Sequence, residues 1–224
     1  MSQETWSAVD QYVIDTFGLE DSVLIDVQAA CEKAGLPPIQ VSAAQGKYLE
    51  LLAKMIGAQR VLEIGTLGGY STIWMARGLP ASGRIITMEL DPKHAEVADG
   101  NFLRAGLSDM IDLRVGAALD GLPVVEREGL GPFDLIFIDA DKANIPSYFE
   151  WALRLSRAGS VVIVDNVVRE GAVVDAASTD AAVQGVRRFN EIAASTAGVQ
   201  TTVLQTVGTK GYDGFAVSLV QQVP

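Results

Sequence analysis

The chain has 224 residues, a formal net charge of −11 and a pI near 4.5. That charge sets it against the phosphate backbone of a nucleic acid. Its single cysteine, Cys31, excludes an internal disulfide, and its single histidine, His94, excludes a multi-histidine metal centre. No apolar run approaches the roughly 18 residues of a membrane span, and Met-Ser-Gln-Glu-Thr-Trp at the start lacks the basic and apolar regions of a secretory signal. The expected setting is therefore a reducing cytoplasm.

Residues 2–34 read as two helices. Val9, Tyr12, Val13 and Phe17 recur at helical spacing, as do Val23, Leu24, Val27, Ala30 and Cys31, with Gly18, Gly35 and Pro37-Pro38 as stops. Residues 1–40 are expected to form a helical cover whose apolar faces suit either the core or a second copy of the chain. Ser42 to Gln45 reads as a capping box opening a helix with Leu49, Leu52, Ala53 and Ile56 on one face, stopped by Gly57. Val61, Leu62 and Ile64 then form a short apolar strand, followed by a turn with Gly65, Gly68 and Gly69 and a helix from Ser71 to Arg77.

From there strand and helix alternate. Strands are expected over Arg84–Glu89, Met110–Val115, Phe133–Asp139 and Ser160–Asp165. The intervening helices are Pro92–Ala105, Ala117–Glu128 and Ile145–Ala158; a polar loop over 166–179 and a helix over Ala181–Ala197 come next. The strands Val199–Val207 and Gly214–Val220 are joined by too few residues for a crossover helix, so that pair is antiparallel. The pattern predicts an α/β fold in a single domain, 1–224: a mostly parallel sheet with helices on both faces.

In such sheets ligands bind at the carboxyl ends of the strands. Gly65-Thr66-Leu67-Gly68-Gly69 does not match the Gly-x-Gly-x-x-Gly of a dinucleotide site, and Glu63 would repel pyrophosphate. Glu63 suits instead a ligand with an ammonium and a sulfonium, which favours S-adenosylmethionine (SAM). Glu89, 20 residues after Gly69, stands where a carboxylate accepts ribose hydroxyls, and Gly116-Ala117-Ala118 is small enough to lie against an adenine. His94, early in its helix, is expected to be solvated. Asp134 opens the fourth strand, and Asp139, Asp141 and Lys142 leave its end, a reading of metal ligation plus a base. Asp165 and Asn166 end the fifth strand. With Asp139 they make three hard oxygen donors, a set that suits Mg²⁺, with Mn²⁺ or Ca²⁺ as substitutes. Adjacent strand residues face opposite ways, so both can reach one ion only if the chain is already turning there.

Residues 61–71, Asp139-Ala-Asp-Lys142 and Asp165-Asn166, in this order and spacing, resemble the cation-dependent class I O-methyltransferases, which include the caffeoyl-CoA and catechol O-methyltransferases. The resemblance spans about residues 40–220. It implies a Rossmann-like seven-stranded sheet with the last strand antiparallel. It also implies that Glu63, Gly65, Thr66, Ser71 and Val41 hold the methionine end of SAM, that Glu89 binds the ribose and that Ala118 lies by the adenine. Asp139, Asp165 and Asn166 would bind the metal, with Asp139 bordering the SAM site as well. Lys142 matches the general base. Ile145 and Val167-Val168-Arg169 stand where the plant enzymes carry a Tyr and a Trp, so their aromatic walls are not visible here. Arg169 reads equally as a contact for an anionic substrate or as a rim charge.

The implied activity is methyl transfer from SAM to a vicinal-dihydroxy phenolic small molecule, by a cytoplasmic homodimer without nucleic-acid or membrane partners. The alternatives are a nicotinamide-dependent oxidoreductase, a methyltransferase acting on protein or RNA, and a fold kept only as a binding module.

Overall fold

The computed structural model describes residues 2–222; Met1, Val223 and Pro224, the ends of the expected 1–224 domain, lie outside the described residues. Eight α-helices and seven strands follow one another among these residues. The strands form a sheet in the order β3-β2-β1-β4-β5-β7-β6, the expected α/β architecture. Two compact units divide the chain, one running up to Ala118 and including Gly208–Gly211, the other running from Leu119 to Val207 and onward from Tyr212.

The first unit begins with three capped helices. Ser2, Asp21 and Ser42 stand in extended conformation and accept hydrogen bonds from Thr5, Leu24 and Gln45 N–H, opening α1 (Gln3–Phe17), α2 (Ser22–Lys33) and α3 (Ala43–Met55). The Ser42 hydroxyl makes its half of the capping box, and Gln45 Nε2 is buried without a partner. Helix α1 buries no residue, and its Tyr12 and Phe17 are 66% and 70% exposed. Strands β1 (Arg60–Ile64), β2 (Arg84–Glu89) and β3 (Ile111–Val115) pair in parallel, with Leu62 opposite Ile86 and Ile86 opposite Asp112. Helices α4 (Tyr70–Arg77) and α5 (Pro92–Ala105) close the core with Ile73, Trp74, Met75 and Phe102, all buried.

The second unit carries α6 (Ala118–Arg127, its first residue in the other unit), β4 (Phe133–Ile138), α7 (Ile145–Arg154), β5 (Ser156–Asp165), α8 (Ala181–Ser195), β6 (Val199–Gly208) and β7 (Gly211–Val220). β4 and β5 are parallel, and β7 runs antiparallel to β5. β5 starts earlier and α7 stops earlier than the sequence suggested. Ser156 already pairs with Phe133, and its hydroxyl donates to the Ala152 carbonyl, so the helix ends where the ladder begins. The expected 166–179 loop contains a kinked 3₁₀ segment, Arg169–Val174.

Phe149 of α7 meets Phe189 of α8 edge to face, ring centroids 5.0 Å apart, and both rings are fully buried. Phe149→Ala should therefore cost about 3–5 kcal/mol of stability, read as a lower urea midpoint at an unchanged m-value.

Candidate active site

The first unit holds the expected SAM residues except Asp139. Glu63 is fully buried near the end of β1, an environment that strongly penalises an unpartnered carboxylate. Hydroxyls satisfy it: Ser71 Oγ donates to Oε1 at 2.6 Å, and Thr87 Oγ1 (2.6 Å) and Thr72 Oγ1 donate to Oε2. Thr66 Oγ1 stands 2.6 Å from Thr87 Oγ1 and extends the network. Thr72 and Thr87 were not legible as partners, because each reads as an ordinary helix or strand residue and only the β1–β2 register, Glu63 opposite Thr87, brings that pair together.

The turn after β1 uses Gly65 at φ +96° and Gly69 at φ +82°, with Leu67 also left-handed at φ +51°. Gly68 serves packing: a Cβ there would collide with Cys31 Sγ, as one on Gly69 would with Phe102. These two glycines therefore answer an internal packing constraint. The turn's amides already have an anion. Glu89 Oε2 accepts from Thr66 N–H at 3.1 Å and Leu67 N–H at 2.7 Å, and Oε1 accepts from Asp91 N–H at 2.9 Å. A carboxylate has about four acceptor positions, so Glu89 keeps capacity for ribose hydroxyls. A pyrophosphate would compete with Glu89 for the same amides. His94 is not fully solvated as expected, since its side chain is 22% exposed with Nδ1 3.6 Å from Glu89 Oε1. Ala118 is half-buried at the start of α6. Val41 is buried and lines a cavity of about 150 Å³ with Asp10, Glu20, Gln40 and Lys210. Burial pushes the Lys210 amine down, and its ammonium donates to the Pro38 carbonyl at 2.7 Å.

The second unit holds the expected metal and base residues. Ile138, the last residue of β4, pairs with Val164, and Asp139 and Asp165 are the residues that follow this pair. Asp165 is buried and its Oδ1 accepts from Asn166 N–H at 2.9 Å. Asn166 is left-handed, φ +57°, so the chain turns immediately after Asp165. That meets the condition under which neighbouring residues can address one ion. Among the described residues no group of three or more His, Cys, Asp or Glu side chains is placed to hold a metal. The set here is two carboxylates and one amide, hard oxygens that fit Mg²⁺ better than Zn²⁺.

Lys142 lies on a 3₁₀ turn, Lys142–Asn144, after β4, and its Nζ donates to Asp139 Oδ1 at 2.8 Å. Asp141 faces elsewhere, accepting from Tyr148 OH at 2.5 Å and Asn144 Nδ2 at 2.7 Å. Burial first, and then this hydrogen bond, push the Tyr148 phenol above its usual range. Asp134 belongs to the opposite end of β4 and is ion-paired with Arg157, so it has no place in the site. Arg169 is half-buried, its Nη1 stands 3.9 Å from Asp213 Oδ2 and its Nε is buried without a partner.

Residues 15–215 match the family model described as O-methyltransferase. The chain is 52% identical over 221 residues to a catechol O-methyltransferase of Niastella koreensis, covering 99% of this chain and 100% of that one. It superposes on the crystal structure of an O-methyltransferase from Bacillus cereus in complex with SAH with a TM-score of 0.96, at 56% identity and covering 98% and 100% of the two chains. The SAM complex of the O-methyltransferase TomG from Streptomyces achromogenes, involved in tomaymycin synthesis, gives a TM-score of 0.95 at 51% identity, covering 99% of each. These likenesses, with Glu89 seated on the turn amides, remove the nicotinamide-oxidoreductase alternative.

The 3₁₀ turn that carries Lys142 rests on α8 at Gly185, where a Cβ would overlap the Lys142 carbonyl oxygen and Ala143 Cα, both backbone. Gly185→Ala should displace that turn, lowering stability by about 1–3 kcal/mol and lowering methyl-transfer turnover while leaving SAM affinity in place. Urea titration, turnover and calorimetry read the three quantities separately.

Proposed function

The chain belongs to the O-methyltransferase family, and from that premise we propose that it transfers the methyl group of SAM to one hydroxyl of a vicinal-dihydroxy phenolic small molecule, with a divalent metal at Asp139, Asp165 and Asn166. The observation that carries the metal reading is the pairing of β4 and β5, one step short of Asp139 and Asp165, followed by the left-handed Asn166. A divalent ion bound to these oxygens supplies Lewis acidity that favours ionisation of a bound phenolic hydroxyl.

The remaining work falls to the chain's own residues. The hydroxyl oxygen attacks the methyl carbon of SAM, the carbon–sulfur bond breaks, and S-adenosylhomocysteine leaves with the electron pair on sulfur. The hydroxyl proton passes to Nζ of Lys142, which must stand as the neutral amine to accept it and becomes the ammonium. Asp139 holds that amine in place through the 2.8 Å contact. Ser71, Glu63, Gly65, Thr66 and Val41 are assigned to the methionine end, Glu89 to the ribose and Ala118 to the adenine. Support for a donor of this class comes from the SAH and SAM complexes of the Bacillus cereus and Streptomyces achromogenes proteins. Support for the acceptor comes from the Niastella koreensis catechol O-methyltransferase.

The enzyme is proposed to act in the cytoplasm, in keeping with a lone cysteine, and as a homodimer, in keeping with the exposed Val9, Tyr12 and Phe17 of α1. A nucleic-acid partner is disfavoured by the charge of −11. No described helix is long and apolar enough to cross a membrane.

Incubation with labelled SAM and a panel of catechols, with Mg²⁺ and with EDTA, tests the reading. Methylated catechol only in the presence of metal is the expected result. Equal product in EDTA removes the metal, and label transferred to protein or RNA but to no catechol replaces the acceptor. Asp165→Ala should abolish turnover with SAM affinity largely retained. Lys142→Ala should lower turnover by about 10²–10⁴-fold with SAM affinity within about twofold; unchanged turnover would take Lys142 out of the mechanism.

A further inference from the structure

The segment after β5 is bent in an unusual way. Asn166, Arg169 and Glu170 have φ of +57°, +54° and +55°, and Gly171 has φ +89°. Asn and Gly tolerate this region, whereas Arg and Glu adopt it only under strain. Such a backbone persists only when its surroundings over-determine it.

The surroundings are the first residues of β7. The β5–β7 ladder ends at Asp165 opposite Phe215. Beyond that pair the contacts continue in another form. Val167 N–H donates to the Gly214 carbonyl at 2.9 Å. Asp213 Oδ1 then accepts from Val168 N–H, from Arg169 N–H and from Gly214 N–H, each at 2.9 Å. Three successive amides of the bent segment, 167 to 169, therefore end on residues 213 and 214. A carboxylate oxygen makes stronger hydrogen bonds to amides than a neutral acceptor does. Gly214 makes the approach feasible, since a Cβ there would come within 2.7 Å of Val168 Cγ2 and would also strike the Leu204 carbonyl oxygen. Val167 and Val168 are 1% and 4% exposed, so their side chains anchor the segment in the packed interior.

We propose that Asp213 is a positioning residue for the metal site: its carboxylate clamps the Val168 and Arg169 amides and so holds the left-handed turn at Asn166 that lets Asp165 and Asn166 address one ion. The inference rests on the proposed metal reading. Asp213 does not itself ligate the ion. It supplies from β7 the second anchor that β5, ending at Asp165, does not have. Its role was hidden in the sequence, where Asp213 sits in the polar connection between the last two strands and reads as a turn residue.

The test is Mn²⁺ binding in the absence of acceptor, followed by the electron paramagnetic resonance signal of free Mn²⁺, on the full chain. Wild type, Asp213→Ala and Asp213→Asn are compared, with SAM affinity by calorimetry and thermal melting alongside. Asp213→Ala should weaken Mn²⁺ binding by at least about tenfold and leave SAM affinity within about twofold. Asp213→Asn keeps an accepting oxygen but loses the charge, and should weaken Mn²⁺ binding by about two- to fivefold. That graded recovery, with SAM affinity held, is the signature of positioning. Wild-type Mn²⁺ affinity in Asp213→Ala overturns the inference, as does a loss of SAM affinity of the same size. If Asp213→Ala does not fold, Asp213→Asn decides, and wild-type Mn²⁺ affinity there overturns it equally. A wild-type protein that binds no Mn²⁺ overturns the metal reading and this inference with it, so the two failures are distinguishable.

Discussion

Two neighbouring residues of a strand point to opposite faces, and the chemistry assigned to the end of β5 requires two neighbouring residues to point the same way. The chain resolves this by ending the strand at Asp165 and entering the left-handed region at Asn166. The contacts around that break make it tolerable. The register of β4 against β5 runs to the residues just before Asp139 and Asp165, the buried valines 167 and 168 hold the segment down, and the amides freed by the end of the ladder find acceptors on residues 213 and 214.

The first unit solves a related problem with its carboxylates. Glu63 is fully buried and Glu89 nearly so, and a buried carboxylate must be met by donors. Glu63 is met by three hydroxyls, from Ser71, Thr72 and Thr87, and Glu89 by three amides, from Thr66, Leu67 and Asp91. Both groups are thereby fixed in position before any ligand arrives. Such preorganisation removes part of the ordering cost from the binding step. It also changes the meaning of the glycine turn. Gly68 and Gly69 are small because Cys31 and Phe102 lie against them, and the turn amides serve Glu89.

Much of the fold was legible because local patterns sufficed. The helices of the first 34 residues, the alternation from Val61 to Asp165 and the final antiparallel strand all follow from spacing, caps and the length of a connection. Where local patterns conflicted with pairing, pairing won: Ser156 reads as part of a helix but lies opposite Phe133, and the helix stops at Arg154. The apolar face of α1 was ambiguous in sequence, and it lies outside the core with Tyr12 and Phe17 exposed.

The candidate site divides along the same line. The sequence by itself determined which strand ends carry oxygen donors, because a charged residue closing a run of valine, isoleucine or phenylalanine stands out without any knowledge of its neighbours. Asp139, Asp165 and Glu89 were legible in that way, and Glu63, Lys142 and Asn166 stood out beside them. Only the tertiary structure decided what each carboxylate is paired with. It separated Asp134, bound to Arg157 at the far end of β4, from Asp139, and Asp141, bound to Tyr148, from Lys142 and its partner. It also found Thr87 and Asp213, which lie 24 and 48 residues from Glu63 and Asp165 and meet them or their loop only through strand pairing. The physical reason is that a charge announces itself in sequence, whereas the partner that satisfies it is selected by register, and register belongs to the folded sheet.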